Sequence, residues 1–242
     1  MIKDLPLGHL KISQGNLEEI LCRVDDSISR GKRAYCVPLN LTKYVMAKQD
    51  DKLKKVIQEA DIIIADGIPI YWFSKRMGYG HVYRITGVEL AERLFKAAKE
   101  KKWSIFFLGS TLEILLRAMN KIRQRFDFDN IVGWRDGYFR GEEIPEVLSN
   151  INRLQPDVLL LGLGMPQKEY FIADYFEKIQ AKFFLPVGGA FDVWAGVKKR
   201  SPSFIQKAGL EWLYRTSYDN QKGKNIFKYG TNFLKDFLFY RP

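Results

Sequence analysis

The sequence predicts an α/β fold in which a Rossmann-like, mostly parallel sheet carries helices on both faces. Short apolar runs alternate along the chain with longer segments of helical periodicity. The runs are apolar at nearly every position rather than at alternate ones, which is typical of strands buried on both faces. The chain has 242 residues, 46% of them apolar, and is long enough to bury such a core.

Six strands are predicted from short runs of β-branched and other apolar residues. In chain order they cover residues 34–39, 62–65, 104–108, 130–132, 157–161 and 183–187. The β-branched run at 62–64 favours the extended conformation, and residues 157–161 form the most hydrophobic strand. Because a helical segment separates most consecutive strands, we expect them to lie parallel.

The helices between these strands are predicted from their start and stop signals. They cover residues 17–30, 42–60, 86–101, 110–126, 141–154 and 167–181, with a further helix beginning near Pro69. Asn16 is a good N-cap for the first helix. Thr86 and Glu89 form a capping-box pattern, and the segment from Ser110 to Glu113 repeats it.

Composition narrows the class of partner. The formal charge is +11, with 39 Lys and Arg against 28 Asp and Glu, which predicts an anionic partner such as nucleic acid, a phosphorylated substrate or an acidic membrane face. There is no signal-peptide pattern and no apolar stretch of about 18 residues. Cys22 and Cys36 lie in apolar patterns and are predicted to be reduced core residues of a cytosolic protein. Neither His9 nor His81 has the spacing to form a zinc cluster with them.

Five loops fall at the carboxyl ends of the predicted strands, the edge where open α/β sheets bind ligands. They contain Asn40, Asp66, Gly109, the segment from Gly162 to Pro166, and Gly188-Gly189. Small residues ahead of a helix allow backbone N–H groups to bind phosphate. Asp66 adds a carboxylate to this edge, although it could instead cap the next helix. Gln167 stands where a dinucleotide fingerprint needs its third glycine, which weakens the alternative of a nicotinamide-dependent oxidoreductase.

The composition changes after Gly189 to a mixture of basic and aromatic residues. We predict a core over residues 1–200 and a C-terminal appendage over 201–242. On a helical wheel the apolar side of its last helix holds Ile226, Tyr229, Phe233, Leu234 and Phe237. The opposite side holds Lys224, Lys228 and Lys235. Three interpretations remain: a helix that lies on an anionic membrane, a terminal helix docked on the core, or a nucleic-acid-binding segment.

Four ordered blocks resemble the signature of the WecG/TagA/CpsF glycosyltransferase family. They are Ala65 to Pro69 with Arg84 to Leu90, Gly162 to Pro166 with Glu169, Gly188 to Gly196 with Lys199 to Pro202, and Gly209 to Arg215. The blocks follow the family's order and span nearly the whole chain. The chain departs from the pattern where Gln167-Lys168 replaces Lys-Gln, where Pro38 replaces a common Thr, and where Lys222 and Asn225 replace arginines.

The resemblance implies an inverting transferase that needs no metal and no cofactor. Its substrates would be a UDP-sugar donor and a polyprenyl-diphosphate-linked acceptor for teichoic acid, capsule or exopolysaccharide, met at the cytoplasmic face of an anionic membrane. No nucleic acid is expected, and a homo-oligomer is compatible with the family. The family's proposed base matches Asp66, and its conserved asparagine matches Asn40.

The resemblance also implies two sets of binding residues. Candidate donor contacts are Gly109, Gly162, Gly164, Gln167, Lys168, Glu169, Gly188 and Gly189. Candidate contacts to a diphosphate, chiefly that of the acceptor, are Arg84, Lys199, Arg200, Arg215 and Lys222. Three of the candidate site residues also have structural interpretations: Arg84 as partner of a carboxylate on the adjoining helix, the catalytic candidate Asn40 as a strand-end hydrogen-bonding group, and Glu169 as a first-turn residue favoured by the helix dipole.

Overall fold

A six-stranded parallel sheet forms the centre of the protein. The computed structural model describes residues 3–198 and 220–240, except for the side chains of 220–228. Its strands are β1 (Asp4–Leu7), β2 (Leu10–Ser13), β3 (Ala34–Leu39), β4 (Ile62–Ala65), β5 (Ile105–Gly109), β6 (Ile131–Arg135), β7 (Val158–Gly162) and β8 (Phe183–Pro186). Strands β1 and β2 form an antiparallel hairpin, and the others pair in parallel in the order β4-β3-β8-β7-β5-β6. The predicted fold class is confirmed.

Helices connect the strands as the crossover rule for parallel sheets requires. They are α1 (Leu17–Ser29), α2 (Leu41–Met46), α3 (Asp51–Gln58), α4 (Ile68–Arg76), α5 (Gly87–Lys101), α6 (Leu112–Phe126), α7 (Ile144–Leu154), α8 (Gln167–Tyr175), α9 (Ala190–Trp194) and α10 (Asn220–Phe239). Short 3-10 turns at Gly141–Glu143 and Phe176–Lys178 adjoin α7 and α8. Asn16 with Glu19, and Thr86 with Glu89, form the capping boxes that open α1 and α5.

Helices cover both faces of the sheet, and each face has its own apolar core. Side chains alternate along β3, so that Ala34 and Cys36 belong to one cluster and Tyr35 and Val37 to the other. The first cluster includes residues of α1, α5, α6 and α9, and the second includes residues of α3, α4, α7 and α8. The strands are therefore apolar throughout because both of their faces are buried.

Several local predictions are wrong. The helix predicted over 42–60 is two helices, because the Asp50 side chain caps α3 by accepting from the Leu53 amide at 2.9 Å. Thr111 rather than Ser110 caps α6, and Ser110 has a φ of 61°. Cys36 is buried as predicted, whereas Cys22 is exposed on α1. The β1–β2 hairpin and α9 were not predicted.

The C-terminal helix α10 packs on the core. Phe233 is only 7% exposed and contacts the rings of Tyr44 and Phe73, with centroid separations of 5.5 and 5.6 Å. Tyr229 and Phe237 also pack against this cluster, whereas Leu234 is 51% exposed. Three of the five residues predicted for the apolar side are therefore docked, and Leu234 is not. The side chain of Ile226, like those of Lys224 and Lys228 on the opposite side, lies outside the described part of the chain. Among the described residues, no helix has the length and apolarity needed to cross a membrane.

Candidate active site

The predicted loops lie along one edge of the sheet because all six strands run in the same direction. From one end, the carboxyl ends of successive strands present Asp66, Asn40, Gly188, Gly162 and Gly109. Neighbouring strands lie about 4.8 Å apart, so β4 and β7, three strands apart, are separated by roughly 14 Å. The fold therefore brings the core candidates from distant parts of the chain to a single rim.

Asp66 lies directly between the end of β4 and the start of α4. Its backbone amide donates to the Leu39 carbonyl at 2.9 Å, which ties this turn to the end of β3. The N-cap position of α4 is occupied by Gly67, with a φ of 116°, rather than by Asp66. That φ favours glycine, so the Asp-Gly order is what allows the chain to turn here. The half-buried carboxylate thus precedes a helix N-terminus at the sheet edge.

Arg84 lies next to this turn and has a structural partner. A parallel bridge joins Ala65 to Arg84, and the Ile85 amide donates to the Ala65 carbonyl at 3.1 Å. Nη2 of Arg84 pairs with Oε1 of Glu89 on α5 at 3.3 Å, as the structural interpretation predicted. A guanidinium has five N–H donors, so this pair orients Arg84 while leaving it able to bind an anion.

Asn40 serves as the N-cap of α2. Its Oδ1 accepts from the Lys43 amide at 3.0 Å, which satisfies one of the amides that begin a helix. The predicted structural interpretation of Asn40, as a hydrogen-bonding group at a strand end, is therefore confirmed. The bond also fixes the loop between β3 and α2 beside Asp66.

Behind this rim lies a buried group of three charges, Lys43, Glu169 and Lys168, called here the charge triad. Nζ of Lys43 donates to the Pro38 carbonyl at 2.7 Å and pairs with Oε1 of Glu169 at 2.8 Å. Nζ of Lys168 pairs with the other oxygen, Oε2, at 3.2 Å. The three side chains are only 3%, 0% and 7% exposed, respectively. Glu169 lies in the first turn of α8, as its structural interpretation predicted, and it is also a buried counter-ion for two lysines, which was not predicted.

The charge triad perturbs the protonation of its own members. Burial and the neighbouring Lys43 lower the pKa of Lys168 to about 8, although Glu169 and Asp66 act in the opposite direction. Burial alone would raise the pKa of Glu169, but Lys43 and Lys168 outweigh that effect and hold it below its usual value. Two cations and one anion leave the triad with net positive charge at neutral pH. An anion at this edge would therefore be stabilised.

The candidate glycines of the donor loops have packing reasons of their own. Gly109 has a φ of 134°, and a Cβ there would lie 2.4 Å from the Gly162 carbonyl carbon. A Cβ on Gly162 would lie 2.7 Å from the Phe191 ring. Gly109 therefore allows the ends of β5 and β7 to lie close together, and Gly162 allows the Phe191 ring of α9 to pack against the end of β7.

The glycines nearer the charge triad lie close to side chains of α8 and α9. A Cβ on Gly188, whose φ is 55°, would lie 3.6 Å from Cε of Lys168. A Cβ on Gly164 would lie 2.7 Å from Oε1 of Gln167, and one on Gly189 would lie 3.5 Å from Oδ2 of Asp192. Of these three positions, only Gly164 is too close to a neighbouring atom, that of Gln167, to accept a Cβ without a shift, whereas Lys168 lies at an ordinary contact distance from Gly188 and pairs with Glu169 in the charge triad.

Four candidate cations of the acceptor side cannot be placed. Lys199, Arg200 and Arg215 lie outside the described residues, and Lys222 lies in α10 where side chains are not described. Their predicted contacts to a diphosphate therefore stay predictions.

Two features of the structure were not predicted from the sequence. Lys43 was missed: it follows Thr42 in the first turn of α2, and its buried partner Glu169 comes from a distant part of the chain. The chain also contains an Asp-x-Asp pair, Asp127 and Asp129, a pattern able to hold a metal-bound sugar nucleotide. It lies between α6 and β6, at the opposite edge of the sheet from Asp66, and its members pair with Lys99 and Arg123. Within the described residues, no group of three His, Cys, Asp or Glu side chains is placed to hold a metal ion.

Comparison with known proteins gives the same family as the sequence blocks. The model of the glycosyl transferase WecG/TagA/CpsF family matches residues 5–239. A relative from Bacillus spizizenii, named N-acetylglucosaminyldiphosphoundecaprenol N-acetyl-beta-D-mannosaminyltransferase, is 30% identical over 234 residues. The alignment covers 95% of this chain and 90% of that relative.

Proposed function

The chain belongs to the WecG/TagA/CpsF glycosyltransferase family, and we propose that it transfers a sugar from a UDP-sugar to a polyprenyl-diphosphate-linked saccharide. The product would feed a bacterial cell-surface polysaccharide such as teichoic acid, capsule or exopolysaccharide. The relative's name, which specifies a diphosphoundecaprenol-linked N-acetylglucosamine acceptor, supports this acceptor class. The family assignment also favours glycosyl transfer over the two alternatives left open by the sequence, nicotinamide-dependent oxidation and nucleic-acid binding.

The observation that carries the proposal is the pairing of a carboxylate with a buried positive group at one sheet edge. Asp66 lies at the end of β4, and the charge triad lies near enough for Asp66 to act on the pKa of Lys168. Glycosyl transfer from a nucleotide sugar needs a base for the acceptor and a cation for the leaving diphosphate. The edge offers one residue of each kind.

In the proposed reaction Asp66 acts as the general base. It takes the proton of an acceptor hydroxyl while that oxygen attacks the anomeric carbon of the donor. The new C–O bond forms as the bond from the anomeric carbon to the phosphate oxygen breaks, and the electron pair leaves with UDP. A single displacement of this kind inverts the anomeric configuration. General-base assistance contributes about 10²–10⁴-fold to the rate.

The leaving UDP gains negative charge, and Lys168 is the proposed group that meets it. Its pKa of about 8 keeps it mostly protonated at neutral pH. Pairing with Glu169 holds the ammonium group in place before the substrate arrives, and a preorganised cation lowers the barrier without reorganisation cost. In this scheme no metal ion or other cofactor is required. Arg84, oriented by Glu89, is assigned to a diphosphate at the end of the edge near Asp66.

The acceptor is a lipid, so we propose that the protein binds peripherally to the cytoplasmic face of the membrane. On α10 the exposed side chains include Leu234, Leu238 and Phe239, with Lys235 among them. Exposed apolar residues flanked by cations suit an anionic bilayer surface. The residues assigned to the acceptor diphosphate in the appendage are Lys199, Arg200, Arg215 and Lys222.

A donor screen tests the proposal. Full-length protein is incubated with a panel of UDP-sugars and a synthetic polyprenyl-diphosphate-linked N-acetylglucosamine, with and without EDTA, and UDP release is measured. We expect one donor to give acceptor-dependent release that EDTA does not reduce, and NMR of the product to show inverted configuration. No acceptor-dependent release with any donor would contradict the proposal, and loss of activity in EDTA would contradict its metal-free mechanism. A thermal shift with NAD would instead support the oxidoreductase alternative.

A further inference from the structure

Asp236 makes the polar contact that joins α10 to α2. Its Oδ2 accepts from the Tyr44 hydroxyl at 2.7 Å and pairs with Nζ of Lys48. It is the only acidic residue between Asn220 and Phe239, a segment with four lysines. Helix α10 thus uses the one carboxylate of this basic segment to face the core. The three residues Asp236, Tyr44 and Lys48 are called here the clasp.

The surroundings of Tyr44 are shaped for this contact. The residue is fully buried, and its ring lies between those of His9, Phe73 and Phe233, at 4.6, 5.8 and 5.5 Å. A Cβ on Gly8 would lie 1.9 Å from the Tyr44 hydroxyl oxygen, so only glycine at position 8 leaves room for that oxygen beside the β1–β2 turn. Burial and the hydrogen bond to Asp236 raise the pKa of Tyr44, which keeps it a donor.

A second anchor joins α10 to α4. Nη2 of Arg76 donates to the Leu238 carbonyl at 2.6 Å, and the Arg76 guanidinium lies 5.6 Å from the centre of the Phe237 ring. A cation that binds a carbonyl near a helix C-terminus is also favoured by the helix dipole. Helix α10 is therefore attached to α2 and to α4, two separate elements of the core.

These two helices begin at the two candidate catalytic residues. Helix α2 starts at its cap Asn40 and carries Lys43 of the charge triad one residue before Tyr44. Helix α4 starts after Asp66 and Gly67. Movement of α10 away from the core would remove a restraint from both helices at once, and α2, with only six residues, has little helical stability of its own.

We infer that Asp236 is a positioning residue for the transfer reaction, because through the clasp it holds α10 against the helices that place Asn40, Lys43 and Asp66. Detachment of α10 from the core is then coupled to displacement of Asn40, Lys43 and Asp66 from their positions at the sheet edge. The kinetic part of this inference rests on the proposed function, whereas the structural part does not.

Hydrogen exchange tests the structural part without any substrate. In Asp236→Asn and in Tyr44→Phe, we expect faster exchange in α10 and also at the Lys43 amide, which bonds to Asn40. Tyr35→Phe is the matched control: Tyr35 is also buried, and its hydroxyl donates to the Val56 carbonyl at 2.8 Å, away from α10. Unchanged exchange at Lys43 in both clasp variants, or the same change in the control, would overturn the inference. If Asp236→Asn does not fold, Lys48→Gln, which removes a partly exposed partner, replaces it.

Transfer kinetics test the functional part. We expect kcat to fall about 10-fold in Asp236→Asn, while the affinity for the UDP-sugar changes less than 2-fold. In the double variant with Tyr44→Phe, kcat should be no lower than in the poorer single variant, because both substitutions remove the same contact. A merely structural role would instead lower kcat in Tyr35→Phe as much as in the clasp variants. Wild-type kcat in both clasp variants would overturn the inference, while an inactive wild-type protein with altered exchange would overturn the proposed function alone.

Discussion

The replacement Glu169→Gln tests whether the charge triad is built as the structure indicates. The substitution keeps the side-chain shape but leaves the ammonium groups of Lys43 and Lys168 buried without their counter-ion. Removing one partner of a buried ion pair costs about 3–5 kcal/mol. For a chain of this size each kcal/mol lowers Tm by about 2–4 °C, so we expect a decrease of about 10 °C at pH 7.

The loss of stability caused by Glu169→Gln should also depend on pH, because it depends on whether Lys168 is protonated. Its pKa of about 8 means that it is protonated at pH 7 and mostly neutral at pH 9. At pH 9 the wild-type Glu169 therefore compensates only Lys43, and its loss removes less stabilisation. The free energy of unfolding, measured with urea at both pH values, should consequently differ between wild type and variant by more at pH 7 than at pH 9.

Two further variants separate this effect from a general loss of packing. Glu177→Gln removes a carboxylate that is 78% exposed and paired with Arg33, and it should cost less than about 1 kcal/mol. The double variant Lys168→Met with Glu169→Gln removes one buried cation with the anion and should recover part of the lost stability. A loss below about 1 kcal/mol for Glu169→Gln at pH 7, or an equal loss at pH 9, would refute the assignment of a charged buried triad.

Two other predictions concern the same edge. Because Lys168 loses its proton as the pH rises through about 8, kcat/KM for the UDP-sugar should fall above that pH in wild type. The variant Lys168→Gln should be slower at pH 7 and should not show this fall. Identical pH profiles of kcat/KM in the two proteins would contradict the role of Lys168. Gly109→Ala should destabilise the fold by at least about 2 kcal/mol in urea unfolding, since its Cβ would lie 2.4 Å from the Gly162 backbone at a φ of 134°. Gly80→Ala, with no atom within 4 Å of the added Cβ, is its control, and equal losses in the two variants would contradict the packing argument.

The parts of the fold that depend on local sequence could be predicted. The six strands of the main sheet are apolar runs, and the capping boxes at Asn16 and Thr86 lie within four residues of the helix starts that they fix. The break between α2 and α3 was missed although its cap is a local one, since Asp50 accepts from the Leu53 amide three residues later. Only the further bond that Asp50 accepts from the Tyr170 hydroxyl joins it to a partner remote in sequence. Cys22 was placed in the core because its neighbours are apolar, but its phase on α1 directs it to solvent.

For the candidate site, the sequence indicated positions but not partners. The strand-end rule brought Asn40, Asp66 and the glycine loops to one edge, as the structure shows. Burial of Lys43 could not be predicted, since its partner Glu169 comes from a different βα unit and only the folded sheet brings them to 2.8 Å. The contact of Asp236 with Tyr44 was equally out of reach, because a helical wheel places a side chain on a face without stating what that face meets.

The role of Asp66 is tested most directly by single-turnover transfer with Asp66→Asn, at saturating UDP-sugar and lipid-linked acceptor. Asparagine keeps the shape of the side chain but cannot take the proton of the acceptor hydroxyl. A role of Asp66 as general base predicts a rate lower by about 10²–10⁴-fold, with donor affinity and Tm close to those of wild type. A variant that folds, binds the donor and transfers the sugar at nearly the wild-type rate would contradict it.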